Sequence, residues 1–181
     1  IRVHPAEIRG TLHTRQKVVD EIHSRFDTLP KNVFIIPPES NISTYSVMEA
    51  CDSVLIYGTK MGVELAAEGI PIIVAGEAWI RNKKISFDAR NEIEYLSLLD
   101  KLPFNTKMST KKQSRALTYA YHFFFRRMIP LKCMEESKGW PPYKVNLGSL
   151  SDLEKGKDKG LDCIIEGILS GRNFIYKEEE L

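Results

Sequence analysis

The sequence predicts an α/β fold, in which helices flank a Rossmann-like parallel sheet. Four short apolar segments have the composition of buried strands, at residues 1–3, 32–36, 53–57 and 71–75. Segments with helical character separate them, and each strand segment is apolar almost throughout rather than alternating. Because strands that alternate with helices form right-handed βαβ units, we expect these segments to lie parallel in one sheet that is covered on both faces.

The first two helices connect the early strands. Residues 14–29 carry apolar side chains at helical spacing, with Thr14 as a possible N-cap and Pro30 at the end. A second, short helix follows the strand at residues 32–36, and Ser43 or Thr44 can cap it.

The remaining helices follow the strand at residues 53–57. A helix is predicted at residues 60–68, with Gly69 at its C-terminus. Residues 77–88 form a mixed loop, so the sheet is expected to end at its fourth strand. Two further helices are predicted at residues 90–102 and 109–128.

Composition divides the chain into two parts. Residues 1–102 form the Rossmann-like lobe and residues 103–181 form a helical extension. Within the extension, residues 137–160 are rich in glycine and proline and are expected to be a loop, followed by a last helix at residues 161–169. Because the chain opens without Met on an apolar segment, we expect a fragment of a longer protein.

Several classes of protein are disfavoured by composition. A net charge of +2, from 26 basic and 24 acidic residues, is too small for a nucleic-acid platform. The three cysteines are far apart and form no CxxC pair, which argues against a zinc site or a disulfide framework and favours a reducing cytosol. No apolar run reaches the roughly 20 residues of a membrane-spanning helix.

The turn after the third strand is the strongest candidate site, because ligands of open parallel sheets bind beyond the carboxyl ends of the strands. Gly58 and Thr59 lead into a helix N-terminus, where backbone N–H groups, a hydroxyl and the charge of Lys60 suit a phosphate. Gly62 leaves space for a ligand or for the neighbouring strand, and Glu64 could accept bonds from a ribose diol. The alternative is ordinary turn chemistry, with Glu64 on the helix surface. Neither a Walker sequence nor GxGxxG is present.

Two other strand ends carry possible binding groups. His4 could bond to a phosphate, or it could pack against or cap the loop beside Pro5. Pro38, Glu39 and Ser43 follow the second strand and are possible contacts to a base or a sugar. All of these positions are expected at the carboxyl edge of the predicted sheet.

Two aromatic segments lie outside these turns. Trp79, with Arg81, Lys83 and Lys84, forms an aromatic and basic loop that could cover an anionic sugar, although solvated charge is the preferred interpretation. The aromatic block at residues 119–125 is expected to be buried in the core or against another lobe, or to form a membrane-surface face.

Two segments together resemble the capsule polysaccharide biosynthesis family, the GT-B-like sugar transferases that include bacterial Kdo transferases. The segments are RVHP, at residues 2–5, and VLIYGTKMGVELAAEGIPIIVAGEAW, at residues 54–79. The family's Ser/Thr-x-x-Gly-x-Glu turn and its following Gly-x-Pro correspond to Thr59, Gly62, Glu64, Gly69 and Pro71. His4-Pro5 is similar to the His-Pro motif of sialyltransferase-like enzymes that use CMP-activated sugars.

The resemblance implies a C-terminal, donor-binding lobe of a GT-B enzyme. It implies that His4 and Thr59 lie at the donor phosphate and that Glu64 lies near the ribose. Because a helix N-terminus, a hydroxyl and a cationic side chain can stabilise the charge of the leaving phosphate, no metal or other cofactor is expected. It also implies a CMP-linked sugar donor, a glycan or glycolipid acceptor, a separate N-terminal lobe, and a cytoplasmic location at the inner face of the membrane. Residues 77–88 depart from the family's aromatic, Gly-rich stretch, and no catalytic base is assigned.

Two other classes stay open. A sugar-nucleotide epimerase shares this architecture and would need acid and base carboxylates in the crevice. A non-catalytic scaffold would use the aromatic helix around Phe123 as its working surface.

Overall fold

The computed structural model describes residues 1–8, 14–139 and 141–177. The chain forms two compact units, Ile1–Asp52 and Ser53–Leu181. Helices and a small parallel sheet confirm the α/β class. The predicted boundary at residue 102 stays a prediction.

In the Ile1–Asp52 unit, the first two predicted strands are reduced to one parallel bridge between Arg2 and Ile36. The backbone N–H of Val3 donates to the Ile36 carbonyl at 3.0 Å, and the Ile36 N–H donates to the Ile1 carbonyl at 2.8 Å. Pro5 and Pro37 lack backbone donors and follow the two paired segments, so the pairing stops at its carboxyl side. The two segments are therefore parallel, as predicted, but too short to be full strands.

The helices of this unit are α1, Val18–Arg25, and α2, Thr44–Glu49. The predicted cap of α1 by Thr14 is wrong, because the helix begins four residues later and the Glu7 carboxylate accepts from the Val18 N–H at 3.1 Å. The predicted cap of α2 is confirmed, since the Ser43 hydroxyl accepts from the Tyr45 N–H at 3.2 Å.

The Ser53–Leu181 unit is built on a three-stranded parallel sheet. Its strands are β1 (Val54–Ile56), β2 (Ile72–Val74) and β3 (Phe87–Asp88), in that spatial order. Helix α3, Met61–Ala67, connects β1 to β2 and ends at Gly69, whose φ of 79° fits the predicted helix C-terminus. The central strand β2 is buried along its whole length.

The prediction that the sheet ends after residues 71–75 is wrong, because β3 lies in the segment predicted as a loop. β3 is two residues long, and buried Ile85 and Ala89 flank it. Its sequence carries polar residues among the apolar ones, so it lacks the apolar run that identified the other strands. Pairing with β2 decides its structure.

Two helices follow the sheet: α4, Glu92–Leu99, and α5, Thr110–Tyr121. Helix α5 packs along α3, where Ala116 is fully buried and the Gln113 side-chain amide donates to the Ala67 carbonyl at 3.1 Å. The predicted helix at residues 109–128 is α-helical as far as Tyr121 and continues as a π-helical turn over His122–Arg126.

The extension is not wholly helical, which corrects the prediction of a helical extension with a loop at residues 137–160. Strands β4, Met134–Glu136, and β5, Tyr143–Val145, form an antiparallel hairpin. The last helix is α6, Lys159–Ser170, and the buried Asp158 carboxylate caps it while also accepting from the Lys132 N–H at 2.8 Å. Within the described residues, no helix is long and apolar enough to cross a membrane.

Candidate functional site

The carboxyl ends of β1, β2 and β3 open into one cleft. Since the strands are parallel, the segments that leave them, beginning at Tyr57, Ala75 and Ala89, meet at the same edge of the sheet. They line a cavity of about 480 Å³. Its wall residues are Tyr57, Ala75, Gly76, Glu77, Arg81, Ala89, Arg90, Asn91, Glu92 and Tyr95.

Arg81 holds this edge of the sheet together. Its guanidinium donates from Nε to the Gly76 carbonyl at 2.7 Å and from Nη2 to the Ala89 carbonyl at 2.8 Å, with a longer contact of 3.4 Å to the Ala75 carbonyl. These carbonyls follow β2 and β3. One largely buried cation therefore offsets the partial negative charge of both strand ends and places positive charge in the cleft wall.

Two glycines allow the turns after β1 and β2 to approach closely. A Cβ on Gly58 would lie 2.9 Å from the Glu77 carbonyl oxygen, and a Cβ on Gly76 would lie 2.7 Å from the Tyr57 carbonyl oxygen. Both neighbours are backbone atoms, so a side chain at either position would push the turns apart. Gly58, a predicted site residue, is thus placed at the cleft edge, and its contact is with the β2 turn.

Thr59 and Lys60 lie where the predicted phosphate site was placed, before α3. The Thr59 hydroxyl oxygen accepts from the Met61 N–H at 3.3 Å, which leaves its proton available to an incoming acceptor. Lys60 is the exposed residue that precedes α3. Neither residue is part of the cavity wall described above.

For Gly62 the structure selects the packing alternative. Gly62 is buried in α3, and a Cβ there would lie 2.6 Å from Ile56 Cδ1 and 3.1 Å from Ile80 Cδ1. The absent side chain makes room for β1 and for the loop after β2 rather than for a ligand. Glu64 lies in the first turn of α3, half-buried and outside the cavity wall.

None of the predicted site residues lines this cavity. Some of its wall residues were missed because the strand that positions them was not predicted. Arg90 and Asn91 come after β3 and Ala89, and Tyr95 lies one turn into α4. The Asn91 side chain caps α4 by accepting from the Glu94 N–H at 2.9 Å. An Asn N-cap signal three residues before Glu94 was present in the sequence and could have located this helix start.

The charge of the cleft wall is balanced. Arg81 and Arg90 are opposed by Glu77 and Glu92. Glu77 Oε1 lies 3.6 Å from Arg81 Nε, but the Glu77 side chain is 93% exposed and that of Arg81 only 12%. Water screens the Glu77 charge, so the cation dominates the inner part of the wall.

The predicted site residues of the Ile1–Asp52 unit follow its parallel bridge. The bridge brings His4 and the segment that begins at Pro37 to the same end, and Arg2 Nη1 donates to the Pro37 carbonyl at 2.8 Å. His4 Nδ1 accepts from the Ala6 N–H at 3.0 Å and caps a short 3₁₀ turn, Pro5–Glu7. This is the loop-capping alternative for His4.

The three positions after the second predicted strand differ in exposure. Pro38 is buried, whereas Glu39 is exposed. Ser43 is exposed, and its hydroxyl oxygen is already used to cap α2. Their predicted contacts to a base or a sugar stay predictions.

The aromatic loop is fixed by the π-helical turn that follows α5. The Tyr119 hydroxyl donates to the Trp79 carbonyl at 2.6 Å, and the Trp79 and Phe123 rings meet edge-on at 5.2 Å. Burial raises the pKa of Tyr119 above its usual value. Trp79 is still 59% exposed, and Phe125 in the same aromatic block is 60% exposed, so the block is not wholly a core.

No group of three metal-ligating side chains occurs in the part of the chain that the structure describes. Comparisons of the chain with protein-family models, with curated proteins and with solved structures return no match.

Proposed function

We propose that this chain is the donor-binding lobe of a GT-B-like glycosyltransferase, which binds a CMP-linked sugar for the synthesis of a surface or capsule polysaccharide. The observation that carries the proposal is the cleft at the carboxyl edge of the parallel sheet, flanked by the Gly58–Thr59 turn. The resemblance of residues 54–79 to the capsule polysaccharide family supports the same substrate class.

The cleft has groups for both halves of a nucleotide sugar. Arg81 and Arg90 in the cavity wall suit the phosphate. Thr59 lies outside that wall, in the flanking turn, and we expect its free hydroxyl proton to add a bond to the same phosphate. Glu77 and Glu92 are acceptors for the hydroxyl groups of a ribose or a sugar. The exposed ring of Tyr57 at the rim offers a flat surface to a base.

This arrangement would favour departure of the nucleotide. When the bond between the sugar and the phosphate breaks, negative charge grows on the phosphate oxygens. Arg81 is already held in place by backbone carbonyls, so it can stabilise that charge without reorganising. The proposal includes two partners at the inner face of the membrane, an acceptor glycan or glycolipid and a second lobe. The second lobe would bind the acceptor and supply the catalytic base.

Calorimetric titration with CMP, UDP and GDP tests the proposal. We expect CMP to bind, and we expect Thr59→Ala to weaken it about tenfold through loss of one hydrogen bond to a charged group. Thr118→Ala is the matched control, because the Thr118 hydroxyl bonds within α5 to the Ser114 carbonyl at 3.0 Å. The Thr118→Ala variant should bind CMP with the same affinity as the parent chain.

Three outcomes would contradict parts of this proposal. If none of the three nucleotides bound, the donor-lobe function would be overturned. A preference for UDP would replace CMP by a hexose donor. Binding that Thr59→Ala leaves unchanged would remove Thr59 from the site.

A further inference from the structure

A second cavity lies at the opposite, amino edge of the same sheet. It has a volume of about 390 Å³, within the range of small-molecule sites. Pro71 immediately precedes β2 and Ile85 precedes β3, so the cavity is separated from the proposed donor cleft by the length of the strands. Its wall residues are Pro71, Ile85, Phe87, Phe104, Thr106, Lys107, Met108, Ser109 and Lys112.

The floor of this cavity is apolar and aromatic. The rings of Phe87 and Phe104 stack at a centroid distance of 4.7 Å with an angle of 21° between their planes. Ile85, in the same wall, is fully buried, and Pro71 is buried as well. A flat or branched apolar group of a ligand could therefore bury its surface against this floor.

The rim is polar and carries one sign of charge. Lys107 and Lys112 contribute two ammonium groups, Thr106 and Ser109 contribute hydroxyls, and none of the described residues in the wall is acidic. Lys112 Nζ lies over the Phe87 ring, 4.6 Å from its centroid, in a cation–π contact. The charge is thus held at the point where a ligand's apolar body would end.

The walls are fixed by hydrogen bonds to the core. The Met108 N–H donates to the Gly69 carbonyl at 3.0 Å, which ties the loop before α5 to the end of α3. The Gln113 side chain adds a bond to the Ala67 carbonyl one turn further along α5. A pre-formed cavity of this kind loses little conformational entropy when it binds a ligand.

We infer that this cavity binds a small amphipathic anion, an aromatic carboxylate whose ring contacts Phe104 and the edge of Phe87 and whose carboxylate meets Lys112 and Lys107. A purely ionic ligand such as inorganic phosphate would leave the apolar floor uncovered, so it fits the cavity less well. A neutral or cationic aromatic compound would lack the attraction of the basic rim. The site is independent of the proposed donor cleft.

Titration of the whole chain with naphthoate, followed by amide NMR spectra, tests the inference. We expect saturable shifts centred on residues 104–109, with affinity falling as salt is raised. Lys112→Met should weaken binding about tenfold, and Lys112→Arg should restore most of it. Lys111→Met is the matched control, because Lys111 is exposed on the same helix and outside the cavity wall.

Neutral naphthamide separates the roles of the rim and the floor. It should bind about tenfold more weakly than naphthoate, and Phe104→Leu should weaken both ligands. The inference is overturned if naphthoate gives no saturable shifts, if the amide binds equally well, or if Lys111→Met and Lys112→Met have the same effect. Because none of these readouts uses a nucleotide, they are separate from the test of the donor cleft.

Discussion

Replacement of Arg81 by Met should destabilise the Ser53–Leu181 unit by about 3 kcal/mol. The side chain is 12% exposed, and its two short bonds, at 2.7 and 2.8 Å, go to the carbonyls of Gly76 and Ala89. Hydrogen bonds to charged groups contribute about 1.5–3 kcal/mol each. Water in the cleft can reach the freed carbonyls, so the lower end of that range applies to both. Met keeps most of the apolar stem, which limits the loss of packing.

Hydrogen exchange at the β2 amides, measured with increasing urea, reports the free energy of opening for this unit. With a urea dependence of about 2 kcal/mol per M, the expected loss moves the midpoint by about 1.5 M. Arg115→Met is the control, because Arg115 is exposed on α5. Glu77→Gln should change stability by less than about 0.5 kcal/mol, since that carboxylate is solvated. If Arg81→Met stayed within about 0.5 kcal/mol of the parent, the proposed role of Arg81 in joining β2 to β3 would be refuted.

Two further predictions concern the packing around α3 and the aromatic loop. Gly62→Ala should destabilise by about 1–3 kcal/mol despite the higher helix propensity of Ala, and Ile56→Val, which removes the opposing Cδ1, should recover part of that loss. Additive effects in a double-mutant cycle by urea unfolding would disprove the close contact. Because burial raises the pKa of Tyr119 above 10.0, the folded state keeps this proton longer than the unfolded state, so stability should fall as pH rises from 10.0 through the raised value. Unfolding of Tyr119→Phe should lack this component, and equal alkaline losses in both proteins would contradict it.

The sequence was a good guide wherever a local rule acts alone. The apolar runs at residues 53–57 and 71–75 became β1 and β2, and Gly69 ended α3 as expected, because burial of both faces and a positive φ leave clear marks in the sequence. The cap by Ser43 was equally local.

The candidate site was predicted less well, because its residues depend on pairing between distant segments. Arg90 and Asn91 line the cleft only because Phe87–Asp88 adds a third strand to the sheet. A strand of two residues, one apolar and one charged, has no pattern that sequence analysis can detect. Thr59 precedes α3, as the sequence predicted. For Gly62, the sequence could not distinguish a ligand contact from close packing, because both require a residue without a side chain.

By itself, the sequence determined the α/β class, the βαβ unit from Val54 to Val74 and the position of its first turn. Periodicity, turn chemistry and capping act over a few residues and are written in the chain. The tertiary structure decided that the cleft extends to β3, that Arg81 joins two strand ends, and that Glu7 rather than Thr14 caps α1. Each of these depends on hydrogen bonds between groups whose proximity only the folded chain creates.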